Sequence, residues 1–148
     1  MAAVLLLGLT ANRRPEVPMP ARIQRKRTAG WRMPPGAVYV GRPTRFGSPF
    51  VIAPAASRRD GPLDMWAVHY QGLVLGRWDD KSAARADAVD RYARWIHEPE
   101  RAADRRLFRA LLFGHDLACW CPLPAPGEPD HCHAAVLLAA ANPEEPTP

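Results

Sequence analysis

The sequence predicts an α/β domain: a small mixed sheet with helices packed on it, compatible with a Rossmann-like three-layer arrangement. Three observations carry this. Short runs rich in β-branched and aromatic residues occur at residues 37–41, 65–70, 73–78 and 115–121. Longer stretches with helical spacing of apolar residues fall between and after them. Apolar residues make up 47% of the 148 and charged residues 24%, which suffices for one buried core and one domain.

Taken in order, residues 1–20 read as a flexible proline-rich leader, since Pro15, Pro18 and Pro20 interrupt regular structure. The domain is expected over residues 21–142, with 143–148 as a disordered tail. Residues 37–41 (AVYVG) follow Pro34-Pro35-Gly36 and read as a strand. Residues 42–50 (RPTRFGSPF) cannot be helical because Pro43, Gly47 and Pro49 interrupt them, so they form a fixed loop at the strand's carboxyl end. Residues 54–62 read as irregular. Residues 65–70 and 73–78 alternate around Gln71-Gly72, a two-residue hairpin turn in which glycine accepts positive φ.

The second half is mainly helical. Asp80 or Ser82 caps a helix running to about His97, with Ala86, Val89, Ala93 and Ile96 expected on its buried face. Pro99 opens the next helix, over 99–113, with Ala103, Leu107, Ala110 and Leu111 as its expected stripe and Gly114 ending it. Residues 115–121 (HDLACWC) read as a strand. Residues 132–141 form a short, almost wholly apolar helix that should pack against it.

Charge is unevenly placed. The net charge is +5, yet residues 1–36 carry +6 and the remaining 112 carry –1. The sequence therefore describes a basic N-terminal arm on a nearly neutral body, with Arg22, Arg25, Lys26, Arg27 and Arg32 as candidate contacts to nucleic-acid phosphate. Solubility or docking on the domain would call for the same residues. The longest apolar run, near residues 2–9, is far shorter than the roughly 20 residues of a membrane span. No basic stretch precedes that run and no small-residue cleavage site follows it, and three cysteines make no disulfide framework. A soluble, reducing, cytoplasmic setting without membrane contact is expected.

All three cysteines and three of the five histidines fall within 19 residues: His115, Cys119, Cys121, His131, Cys132 and His133. On a strand Cys119 and Cys121 share a face and Trp120 takes the other. A ten-residue loop returns the chain to Cys132-His133. Thiolates and imidazole are ligands that zinc prefers, so Cys119, Cys121, Cys132 and His133 form a candidate tetrahedral site for zinc or iron. A metal-free reading makes Cys132, His133 and Cys121 catalytic, with Cys132 at a helix N-terminus beside an imidazole and its pKa lowered. A third reading treats the cysteines as small buried hydrophobes.

The 42–50 loop is the second candidate site. Ligands of α/β sheets bind outside the carboxyl ends of strands. Arg42 and Arg45 could grip a phosphate, Phe46 could stack on a base, Gly47 would admit a ligand to the backbone, and Ser48 would add a hydroxyl. Trp31, Trp66, Trp78 and Trp95 read as core or edge packing.

Several stretches in order, RIQRKRTAGWRMPPGAVYVGRPTRFGSPF, AARADAVDRYARWI, DLACWCP and CHAAVLLAAAN, resemble the bacterial and phage domain-of-unknown-function family numbered 4326. The resemblance covers roughly residues 21–142. It implies a basic GW segment, a VGR strand, a GNPF-type loop and a CWC strand answered by a CH-initiated helix, but no named activity. Against that pattern Ser48 replaces Asn, Phe46 replaces Trp, Ala29 replaces Lys and Ala135 replaces Asp, and the loop after Cys121 carries an extra PAPGEPDH-like stretch. An amide and a carboxylate are thus missing from the implied site, which bears on this chain's activity.

Two function classes follow. One is an enzyme-like domain acting on a nucleotide or nucleic-acid base, with the Cys/His cluster reacting or holding metal beside an arginine loop. The other is a nonenzymatic module binding nucleic acid or protein, with a structural cluster.

Overall fold

A computed structural model describes residues 19–144; most of the expected leader (1–18) and the end of the expected tail (145–148) lie outside the described residues. In chain order the elements are β1 (Arg22–Gln24), β2 (Val38–Tyr39), β3 (Phe50–Ala55), β4 (Met65–Tyr70), β5 (Leu73–Trp78), α1 (Lys81–Ile96), α2 (Ala102–Leu112), β6 (Leu117–Cys119) and α3 (His133–Ala141), with one 3-10 turn at Pro99–Arg101 leading into α2. The architecture is mixed α/β, as the sequence predicts. Its strands divide between two small sheets, one parallel with order β1-β6-β2 and one antiparallel with order β3-β4-β5.

The parallel sheet owes its form to β6, the most apolar of its strands, which is buried at all three positions. Two short strands flank it, β1 from the basic region and β2 just beyond it, Arg22 opposite Leu117 on one side and Val38 opposite Leu117 on the other. The ladder continues past the strand ends, with Arg25 N–H donating to the Cys119 carbonyl (2.9 Å) and Val40 N–H to the Ala118 carbonyl (3.0 Å). All three strands therefore deliver their carboxyl ends to one edge. Among the described residues the basic segment is correspondingly not a free arm: Arg22–Gln24 are an edge strand of the sheet.

In the antiparallel sheet, the Gln71-Gly72 turn takes φ values of 50° and 80°, the two positive angles of a type I′ hairpin. The strand β3 falls partly where the sequence reads as irregular, because Pro54 interrupts its pattern. Proline is tolerated there since β3 is an edge strand, paired with β4 alone.

Helix α1 begins where expected, Asp80 Oδ1 accepting from Ser82 N–H at 2.9 Å. Its buried face is Ala84, Ala88, Tyr92 and Ile96 rather than Ala86, Val89 and Ala93. Alanines occur all round this helix, so hydrophobicity alone does not select a face, and the single large anchor Tyr92 does. In α2 the expectation reverses more fully. Leu107 and Leu111 are 43% and 44% exposed, Ala103 and Ala110 are exposed, and Leu112 is buried. Arg105 accounts for the rotation: its Nη1 donates to the carbonyls of Ile96 and Glu98, both at 2.8 Å, at the carbonyl-rich end of α1.

One contiguous core joins the two sheets, running from Val40 and Phe50 through Val68, Tyr92 and Ile96 to Leu117, Cys132 and Leu137. Trp66 and Trp95 pack against it, as expected of core aromatics. Among the described residues, no helix is long and apolar enough to cross a membrane.

Candidate functional site

The site forms where the carboxyl ends of β2 and β6 meet the N-terminus of α3. Cys119 ends β6, Trp120 turns outward, and Cys121 returns to the same side, so that the two sulfurs lie 3.9 Å apart. The chain then loops out and re-enters at Cys132, the fully buried N-cap of α3. The three Sγ atoms lie within 4.8 Å of one another. A metal bound tetrahedrally by thiolates at about 2.3 Å needs sulfurs about 3.8 Å apart. The spacing suits a single ion.

His133, the first residue of α3, stands beside them. Its Nε2 lies 2.8 Å from the Val40 carbonyl oxygen, which can only accept. Nε2 therefore carries the proton, and in the neutral ring Nδ1, 4.0 Å from Cys132 Sγ, presents its lone pair. A histidine whose outer nitrogen is anchored on a carbonyl is oriented as metal-bound imidazoles are. Tyr92 holds the ring in place, edge to face at 5.6 Å.

Arg22 braces the cluster from behind. Its side chain is only 4% exposed, and its Nε pairs with the Asp130 carboxylate. Nη1 and Nη2 donate to the carbonyls of Cys121 (2.9 Å) and Pro122 (2.5 Å). One guanidinium thus ties both ends of the loop that separates Cys121 from Cys132. Burial works against its charge, but Asp130 and the nearby thiols Cys132 and Cys121 outweigh it and hold the pKa above the ordinary arginine value. The same cation favours thiolate in the cluster.

The thiols do not ionise alike. Contacts with Cys121, then Cys132, and also with His133 hold Cys119 well below the usual thiol range. Cys121 and Cys132 are pushed up, each first by Cys119, which ionises ahead of them. The expectation of an acidic Cys132 at the helix N-terminus is therefore reversed. Contact with Cys119 and then Cys121, followed by burial, pushes the Cys132 thiol up.

A cleft of about 310 Å3 opens over the cluster, and all three cysteines and His133 contribute to its wall. Of the residues that sequence analysis assigns to the arginine loop, Arg42 and Ser48 line it, and Arg45, Phe46 and Gly47 do not. Arg45 is exposed elsewhere. Phe46 packs edge-on against Phe108 at 5.1 Å, so it belongs to the core rather than to a base platform. Gly47 is needed because a Cβ there would lie 2.8 Å from Arg42 Cγ; it makes room for Arg42, not for a ligand. Ser48 Oγ accepts from Phe50 N–H at 3.1 Å, and its carbonyl accepts from Arg42 Nη1 at 3.2 Å. Of the histidines, His131 lines the cleft, whereas His115 hydrogen-bonds the Gly36 carbonyl at the opposite end of β6.

The basic residues are similarly sorted. Arg22 is buried, so it cannot be a phosphate contact. Arg25 lies between the rings of Tyr39 and Trp120, at 4.5 and 4.7 Å, and Arg27 lies 4.8 Å from Trp120. Lys26 and Arg32 are exposed. Sequence reasoning missed Tyr39 and Arg85 as cleft residues. Alternation along 37–41 would have grouped Tyr39 with Gly41, but nothing in the pattern of α1 singles out Arg85.

The fold and site define a small α/β domain with a cysteine-rich cleft at the carboxyl edge of a parallel sheet. The family model described as Domain of unknown function (DUF4326) matches residues 23–143, and the chain belongs to that family. No curated protein and no solved structure matches it.

Proposed function

We propose that this domain is a nucleotide-directed metal protein whose centre is one ion, zinc or iron, held by Cys119, Cys121, Cys132 and the Nδ1 atom of His133. The observation that carries this reading is the convergence of three sulfurs within 4.8 Å beside an imidazole whose Nε2 is already committed to Val40. Three thiolates and a neutral imidazole match the preference of a tetrahedral zinc site. Cys121, the half-buried ligand, sets the ion at the floor of the cleft. Arg42 and Ser48 from the loop after β2 supply ligand contacts, and the exposed Lys26 and Arg32 add positive charge on the β1–β2 segment.

Protein purified without chelator should carry close to one equivalent of zinc or iron per chain. Cys132→Ser should lose most of that metal and melt earlier, because site formation is coupled to folding. Metal-free protein whose melting temperature ignores added zinc would overturn the reading and favour the cysteines as small buried side chains of the core.

A further inference from the structure

The cleft carries positive charge, with no carboxylate among the residues that line it. Arg42 reaches it from the loop after β2 and Arg85 from α1, and no Asp or Glu lines it. Neither arginine is in an ion pair among the described residues. The contrast along α1 is informative, since Arg91 is paired with Asp87 at 3.1 Å on the face toward β5. Arg42 uses Nη1 on the Ser48 carbonyl, which aims the guanidinium and leaves further N–H groups to offer. Arg85 shares the wall of this cleft with Cys121. Phe50, Ile52, Ala88 and Val89 give the same cleft an apolar wall.

A cleft with two uncompensated arginines and an apolar wall suits an anion with an organic body. Its volume, about 310 Å3, is at the small end of ligand sites, which favours a monomeric ligand over an enclosed polymer. Arginine is the side chain best shaped to grip phosphate oxygens in pairs.

We infer that Arg42 and Arg85 form a phosphate subsite for a phosphate monoester of nucleoside 5′-monophosphate type, which lays its organic part along the Phe50–Ile52 wall and directs it toward the Cys119–Cys121–Cys132 centre. This rests on the nucleotide reading above, and it replaces Arg45 with Arg85 as the partner of Arg42. Lys at position 85 would keep the charge and lose the fork, so Arg85→Lys should bind more weakly than the native chain and more tightly than Arg85→Gln.

Calorimetric titration of the full chain with inorganic phosphate, adenosine 5′-monophosphate and adenosine tests this directly. Phosphate and the monophosphate should bind, and adenosine should bind much more weakly. Arg42→Gln and Arg85→Gln should each weaken both anions about tenfold or more while keeping the native melting temperature, and Arg45→Gln should change nothing. Monophosphate binding tighter than phosphate identifies the ester as the ligand, whereas equal affinities would overturn the organic-body part of the inference. Absence of phosphate binding at millimolar concentration, or binding that survives Arg85→Gln unchanged, would overturn the subsite. Metal content measured on the same samples keeps the two readings apart. Anion binding by metal-free protein would sink the metal centre and leave the subsite standing, and metal-loaded protein that binds neither anion would do the reverse.

Discussion

Arg22 shows how a single side chain can decide the geometry of a site it does not line. Its guanidinium reaches Asp130, Cys121 and Pro122, and so sets where the second and third thiols stand relative to the first. Removing one member of a buried ion pair leaves the other charge uncompensated, at a cost of about 3–5 kcal/mol. Asp130 is 20% exposed, which places Arg22→Met near the lower end of that range. Denaturant unfolding should therefore show a loss of about 3 kcal/mol for Arg22→Met, and Arg22→Met with Asp130→Leu should recover part of it. A single variant as stable as the native chain would mean that the pair positions nothing. In the sequence, Arg22 is one of seven basic residues in an apparent arm, and spacing cannot reveal that its partner lies 108 residues away. The cysteines and His133 are legible because their chemistry is rare and clustered. Arg42 and Ser48 are legible because a loop after a strand is where ligands bind.

The helices and the hairpin are legible in extent but the helices not in orientation, and β1 and β3 are not expected from the sequence. The hairpin turn, the Asp80 cap and the start of α3 follow from local rules that act within a few residues. The faces of α1 and α2 do not, since alanines surround α1 and tertiary contacts turn α2 away from the centre of its apolar stripe. In α2 the choice fell on Phe108 and Leu112, with Arg105 bonded to the end of α1. Leu112→Ala should accordingly cost about 2–5 kcal/mol in denaturant unfolding. Leu111→Gln, one residue away, should stay within about 0.5 kcal/mol of native. Equal losses at the two positions would contradict the helix orientation. The parallel pairing of β1 and β2 on β6 is not legible at all, because its partners are separated by most of the chain and all three strands have only two or three residues.

For the molecule as a whole, the consequence is that the basic N-terminal region, the central strand and the last helix form one unit around the sulfurs. Metal binding should then stabilise the entire domain, and acid should reverse it. Protons compete for the thiolates, so affinity for zinc should fall steadily as the pH is lowered, with the melting temperature falling alongside it. Chelator should mimic acid. Any nucleic-acid binding should depend on the exposed charges alone. Neutralising Lys26, Arg27 and Arg32 should flatten its salt dependence by up to about three charges' worth, and a slope that stays unchanged would exclude this surface.

The most direct examination of the metal centre is X-ray absorption at the zinc and iron edges on the purified full chain, alongside Cys119→Ser, Cys121→Ser and Cys132→Ser. The native chain should show one metal with three sulfur neighbours at about 2.3 Å and one nitrogen at about 2.0–2.1 Å. Each serine variant should lose metal or one sulfur neighbour. A coordination sphere of oxygen and nitrogen only, unchanged by the three substitutions, would contradict it.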